Sequence, residues 1–211
     1  PPGEGLRVLC LGAHSDDIEI GCGGTILRLL ASRSDVSVRW VVFSGSEERA
    51  EEARRSADLF LRGAAQAAVE IHSFRDGFFP YEGARIKEVF ESLKNEPGPD
   101  VIFTHRGRDR HQDHRLIAEL TWNTFRDHLV LEYEIPKYDG DLDTPNVYVP
   151  LDEDVCRTKV DLLMEVFSSQ RSKRWFTPET FIGLMRIRGI ECASPAGYAE
   201  GFEMRKAVLC P

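Results

Sequence analysis

The sequence predicts an α/β protein of Rossmann-like architecture, a parallel sheet with helices on both faces and an irregular C-terminal elaboration. Two observations carry that expectation. Apolar, β-branched runs alternate with longer segments of helical period, and most of the runs are too apolar to belong to half-exposed strands. Repeated βα units of this kind build a parallel sheet. Strands are expected at 6–12, 36–44, 68–74, 100–104 and 129–134, and helices at 25–32, 47–61, 84–95 and 115–127. Beyond Ile135 the pattern changes to Pro136, Pro145 and Pro150 among acidic residues, then a helix-like stretch at 154–167 and a less regular tail. With no repeat, low-complexity tract or clean linker, residues 1–211 read as one domain.

Composition narrows the function classes. A content of 42% hydrophobic and 29% charged residues is that of an ordinary globular chain. No apolar run approaches the ~20 residues of a membrane span. The opening Pro1-Pro2-Gly3-Glu4-Gly5 lacks a basic and an apolar export region, which gives a cytoplasmic expectation. Cys10, Cys22, Cys156, Cys192 and Cys210 form no C-x-x-C pair and read as reduced packing thiols, with neither a disulfide framework nor a thiolate metal site. A net charge of -8 disfavours nucleic acid and anionic membranes as partners. A small polar ligand suits the chain better, and a homo-oligomer is compatible with it.

Open α/β sheets bind ligands beyond the carboxyl ends of their strands, which directs attention to the loops at 13–24, 44–49, 75–83 and 105–114. The first holds His14-Ser15-Asp16-Asp17, followed by a small-residue turn, Gly21-Cys22-Gly23-Gly24-Thr25. A His three residues before an Asp can place a ring nitrogen and a carboxylate oxygen on one ion, with Asp16 aimed differently. Mixed N/O ligation with an open position suits catalytic zinc, although carboxylates that merely cap a helix would read the same way. The glycines do not make G-x-G-x-x-G, and the neighbouring carboxylates would repel a pyrophosphate. In the last loop, His111 and His114 stand at i and i+3 where a helix should begin, so both can face one side of its first turn. Two such clusters at strand ends of one sheet favour a metal site.

Together with Arg49-x-x-Glu52, Asp76-Gly77, Pro99 to His105, Ser169-Gln170 and Tyr198-Ala199-Glu200, these motifs resemble the PIG-L/LmbE-like N-acetylglucosaminyl deacetylases. Ser15 and Gln112 stand where that family usually has Pro, and Ile18 where it usually has Glu. All three are non-ligand positions in the family. The resemblance implies His14, Asp17 and His114 as zinc ligands, Asp16 as general base and His111 facing the reacting carbonyl oxygen. Fe2+ would also suit that donor set, since N/O sites do not select zinc by affinity alone. Asp113 is then either an orienting partner of His111 or a carboxylate at a helix N-terminus. Arg49 and Asp76 would contact sugar hydroxyls, the alternative being a surface ion pair. His105 is a pocket residue or a strand-end His satisfied by backbone, and His72 and His128 read as structural. Glu134, Tyr138 and Asp139, in the Pro-flanked segment, are candidates for a substrate-side loop, which spacing alone does not establish.

The expected activity is zinc-dependent hydrolysis of an N-acetyl group on an N-acetylglucosamine-type amino sugar or conjugate. A nucleotide-binding Rossmann protein, with Glu47 or Glu48 on the ribose, would leave the His-Asp clusters without a task. A phospho-acceptor receiver domain would need a strand-end Asp and partner Lys that are not evident, and a shorter chain. A non-catalytic metal-binding module of the same fold is the remaining alternative.

Overall fold

The computed structural model describes residues 5–94 and 98–208; Asn95 of the expected third helix and Cys210 lie outside them. The strands are β1 (Leu6–Gly12), β2 (Val36–Val42), β3 (Gln66–Ile71), β4 (Val101–His105), β5 (Leu129–Tyr133), β6 (Val147–Leu151) and β7 (Tyr198–Glu203). The helices are α1 (Asp17–Ser32), α2 (Glu47–Phe60), α3 (Gly83–Leu93), α4 (Gln112–Thr124), α5 (Glu153–Val166) and α6 (Pro178–Glu191). One seven-stranded sheet runs in the order β3-β2-β1-β4-β5-β7-β6.

β1 to β5 pair in parallel, and β1 lies between β2 and β4. Its alternate residues supply two cores, as the period of a strand requires. Val8 and Cys10 pack with Ile18, Ile26, Phe60 and Leu163 on one face, while Leu9 and Leu11 pack with Ile86, Phe90, Ile117 and Phe125 on the other. Burial on both faces is why β1 reads as an apolar run from Val8 to Leu11. β3 departs from that expectation: it is the edge strand, and its first three residues are exposed.

The C-terminal part is more regular than its sequence suggests. β7 pairs antiparallel with β5, and β6 antiparallel with β7, so the tail extends the same sheet and makes it mixed. Pro150 in β6 and Gly201, Glu200 and Glu203 in β7 weaken the strand signal; Pro is tolerated in β6 because that strand is an edge.

α1 begins at Asp17, eight residues before the expected start, so the small-residue segment is helix and not a turn. Glycine lowers helix propensity, but here it permits close packing. A Cβ at Gly21 would run into the Tyr133 ring, and one at Gly23 into the Phe60 ring. The tail also grips this helix through a buried ion pair. Lys159 of α5 and Glu200 of β7 meet at 2.6 Å; Lys159 donates to the Ile20 carbonyl, and Glu200 accepts from the Gly24 and Thr25 amides. Among the described residues, no helix is long and apolar enough to cross a membrane.

Candidate functional site

Because β1 and β4 are parallel neighbours, their carboxyl ends deliver two loops to one place. The first loop is closed by the His14 amide, which donates to Asp17 Oδ2 at 2.6 Å, and Asp16 stands at the N-cap of α1. The second is cross-tied to it by His105, whose Nε2 accepts the Ala13 amide at 2.9 Å and lies 3.1 Å from Asp17 Oδ2. His105 thus meets a backbone amide through Nε2 and is part of the cluster, while its Nδ1 is buried without a hydrogen-bond partner. His111 caps α4, its Nδ1 accepting the Asp113 amide at 3.2 Å, which leaves Nε2 to carry the ring proton of the neutral form.

Three donor atoms form a compact triangle. His14 Nδ1 lies 3.1 Å from His114 Nε2 and 3.3 Å from Asp17 Oδ2, and the last two are 3.5 Å apart. Donors about 2.0–2.2 Å from a tetrahedral zinc stand about 3.3–3.6 Å from one another, so the edges of this set come within about 0.2 Å of those such an ion needs. The far nitrogens of both rings meet carboxylates, as ligating histidines require: His114 Nδ1 is 2.9 Å from Asp109 Oδ2, and His14 Nε2 is 3.1 Å from Asp76 Oδ1 and 3.3 Å from Asp113 Oδ2. Other sets overlap with this one. Donor atoms of His14, His111 and His114 lie within 4.8 Å of each other, as do those of Asp17, His105 and His114.

Electrostatics point the same way. Burial penalises a charged His14 ring, yet Asp17, Asp113 and Asp76 outweigh it and raise its pKa well above the ordinary value. Burial likewise opposes the Asp17 carboxylate, but His114, His105 and His14 hold it well below the usual range. His114 is pushed down to about 3 by burial and by His105, which leaves it neutral and available as a ligand. A cluster that draws a proton onto His14 is one that attracts a cation. Asp16 behaves differently: burial raises its pKa, with Arg49 opposing and Asp17 adding. Glu19, fully buried in α1, is pushed up to about 8 by burial and adds no charge to the site at neutral pH.

The expected site residues come together in one cavity of about 240 Å3, lined by His14, Asp16, Asp17, Arg49, Asp76, His111 and His114. Arg49 Nη2 donates to Asp16 Oδ1 at 2.6 Å in a largely buried pair. The Asp113 carboxylate is committed elsewhere than His111: it accepts the Gly77 and Phe79 amides at 2.6 and 3.1 Å and backs His14. Glu134 pairs with Arg188 through two 2.7 Å contacts and does not line the cavity, whereas Tyr138 and Asp139 do. His72 stacks on Phe43, and His128 packs edge-on against Phe125, both away from it.

Several contributors were not singled out from the sequence. Asp109, 1% exposed, bonds His114 and also the His111 amide at 2.8 Å; its position two residues before His111 in a basic loop was the available signal. Lys137 holds Asp109 at 3.0 Å and Asp141 at 2.6 Å, and Lys173 and Trp175 line the cavity from the C-terminal part. No sequence pattern relates those last two to the strand ends.

Fold and site together define a class: an open α/β protein with a His-Asp cluster able to hold a divalent ion over the carboxyl ends of two central strands. Within that class the chain belongs to the PIG-L family of GlcNAc-PI de-N-acetylases, whose model matches residues 9–125, more than half of its length. It is 32% identical to the uncharacterized deacetylase YaiS of Escherichia coli K12 over 143 residues, 61% of this chain and 74% of that one. It is 33% identical to the diacetylchitobiose deacetylase of Thermococcus kodakarensis over 129 residues, 52% of this chain but only 45% of that protein. The fold is that of the conserved protein TT1542 from Thermus thermophilus, with a TM-score of 0.73 at 21% identity over 98% of this chain and 97% of that one.

Proposed function

We propose that the protein is a zinc-dependent hydrolase that removes the N-acetyl group from an N-acetylglucosamine-type amino sugar or conjugate. The observation that carries this reading is the triangle of His14 Nδ1, His114 Nε2 and Asp17 Oδ2, with edges of 3.1 to 3.5 Å, beside a separate, raised carboxyl at Asp16. Those three residues would hold the ion. When bound, it polarises the acetyl carbonyl and lowers the pKa of water toward ~7.

The chain's own residues divide the remaining work. Arg49 holds Asp16 Oδ1, leaving Oδ2 to take a proton from the attacking water. Water oxygen bonds to the acetyl carbon, the C–N bond breaks, and Asp16 returns the proton to the departing nitrogen. Acetate and the free amine are the products. His111, with Nδ1 occupied by the Asp113 amide, presents Nε2–H to the carbonyl oxygen as negative charge develops there. Asp76, 3.1 Å from His14, and Arg49 border the space left for sugar hydroxyls.

The nucleotide reading is disfavoured by Asp16 and Asp17 at the start of α1, where a pyrophosphate would sit, and by glycines spent on helix packing. The deciding experiment is amine release from a panel of N-acetylated sugars by zinc-loaded protein, with metal content measured on the same sample. One bound ion with turnover supports the reading. Stoichiometric metal without turnover on any member would favour a non-catalytic module, and no bound metal would overturn the proposal.

A further inference from the structure

Residues 136–143, in the Pro-flanked segment between β5 and β6, bury charges and expose apolar side chains. The Lys137 and Asp141 side chains are 8% and 5% exposed, whereas Tyr138 and Leu142 are 71% and 46% exposed. Such an inversion of the usual partition is costly unless the buried charges are bonded. They are bonded: Lys137 Nζ donates to Asp141 Oδ1 at 2.9 Å, to Asp141 Oδ2 at 2.6 Å and to Asp109 Oδ2 at 3.0 Å. Gly140, with φ at 61°, supplies the left-handed residue that turns the chain so that Asp141 returns to Lys137.

The bonds from this segment and from Glu132 run to consecutive residues of one loop, the loop that delivers His111 and His114. Arg106 Nη2 donates to the Asp141 carbonyl, the Gly107 amide to Glu132 Oε2 at 2.8 Å, and the Arg110 amide to Asp141 Oδ2 at 2.7 Å. Arg108 meets Asp143 at 3.4 Å, and Asp109 meets Lys137. Asp109 passes that hold onward. Its Oδ1 accepts the His111 amide at 2.8 Å, and its Oδ2 lies 2.9 Å from His114 Nδ1.

Lys137 borders the cavity, but its hydrogen-bonding capacity is spent: an ammonium has three donors, and the three contacts to Asp109 and Asp141 use them. Its charge matters as much as its donors. Asp109 and Asp141 are two buried carboxylates against the same ammonium, and without it they would repel each other and part, drawing residues 109–111 out of place.

We propose that Lys137 is a positioning residue for the candidate metal site. With Asp141 it clamps the loop at 109–110, and through Asp109 it aims His114 at the ion and fixes the backbone at His111. The effect on turnover rests on the deacetylase reading; the clamp itself is measured without turnover.

The test compares parent, Lys137→Met, Asp141→Asn and Lys137→Met/Asp141→Asn in three measurements: zinc affinity by competition with a chelator, amide exchange on metal-free protein, and turnover of one N-acetylated sugar. Electrostatics alone would make Lys137→Met bind zinc more tightly, because a positive charge leaves the neighbourhood of a cation site. Positioning gives the opposite sign, roughly tenfold weaker binding. Exchange at the Arg110 and His111 amides should quicken roughly tenfold, with the Gly107 amide, held by Glu132, as the unaltered control. The double variant should recover part of the zinc affinity, because no second carboxylate then faces Asp109. At saturating zinc, kcat should fall with KM unchanged. If Lys137→Met does not fold, Asp141→Asn, which leaves the ammonium on Asp109, carries the comparison through exchange at the same amides. Zinc binding by Lys137→Met as tight as the parent's or tighter overturns the proposal. So does a raised KM with affinity and exchange unaltered, which would make Lys137 a substrate contact. The expected changes in affinity and exchange, in a protein that releases no amine from any sugar, sustain the clamp and remove the deacetylase reading.

Discussion

Asp109 Oδ2 lies 2.9 Å from His114 Nδ1, on the side of the ring opposite the nitrogen that faces His14 and Asp17. The carboxylate is 1% exposed and is itself held by Lys137 at 3.0 Å, with the surrounding histidines and Lys137 keeping it ionised against the penalty of burial. Such a partner fixes the ring's tautomer and orientation, leaving Nε2 with its lone pair toward the candidate ion.

Asp109→Asn should therefore weaken metal affinity by roughly 10- to 100-fold while the protein stays folded. A competition titration against a calibrated chelator measures this, with circular dichroism to verify the fold. Affinity equal to the parent's would mean that His114 is oriented by ring packing against His105 and His111.

The central residues should separate by what each substitution removes. His114→Ala should lose both metal and activity, and Asp17→Asn should bind metal more weakly. His111→Ala and Asp16→Asn should retain metal and lose turnover, by roughly 10²–10³-fold for the loss of the His111 donor. Metal content and kcat measured on the same preparations decide the matter. Zinc binding as poor in Asp16→Asn and His111→Ala as in His114→Ala would show the division between ligands and catalysts to be wrong.

How much of this was legible in the sequence follows from physical range. The parallel strands showed because burial on both faces leaves an apolar run, as from Val8 to Leu11 in β1, and His14-Asp17 and His111-His114 showed because each pair is local. β7 did not show, since its Glu200 is a buried charge whose justification, Lys159, lies 41 residues away. The start of α1 was missed because its glycines are explained by Tyr133, Phe60, Leu151 and Glu200, which fold against them from elsewhere in the chain. Lys173 and Trp175 reach the cavity through Glu52, a contact 116 or more residues long in sequence.

The Lys159 and Glu200 side chains are each 3% exposed, and the pair is bonded into the backbone of α1. Removing one member leaves a buried charge uncompensated, a loss of about 3–5 kcal/mol. Lys159→Met should show it as a lower denaturation midpoint in urea. The double variant Lys159→Met/Glu200→Gln should recover part of the loss, because no net charge then remains buried. Equal stability of Lys159→Met and parent would mean that the pair contributes nothing to holding α1.

The Arg49 guanidinium is the largest influence opposing the burial that raises the Asp16 pKa, and it donates to Asp16 Oδ1 at 2.6 Å. The sign of its removal follows. Without that cation the charged carboxylate is less favoured, so the Asp16 pKa rises further. A general base works only when deprotonated, and its pKa appears as the acid limb of the kcat/KM profile. Arg49→Ala should therefore move that limb to higher pH, with the activity loss greatest on the acid side and smallest on the plateau. Arg49→Lys, which keeps the charge but not the planar fork, should return the limb most of the way. A contact with substrate hydroxyls alone would raise KM evenly across pH and leave the limb in place. Profiles of parent, Ala and Lys variants on one N-acetylated sugar distinguish the two roles: an unmoved limb in Arg49→Ala would assign Arg49 to substrate binding and leave Asp16 tuned by burial and Asp17.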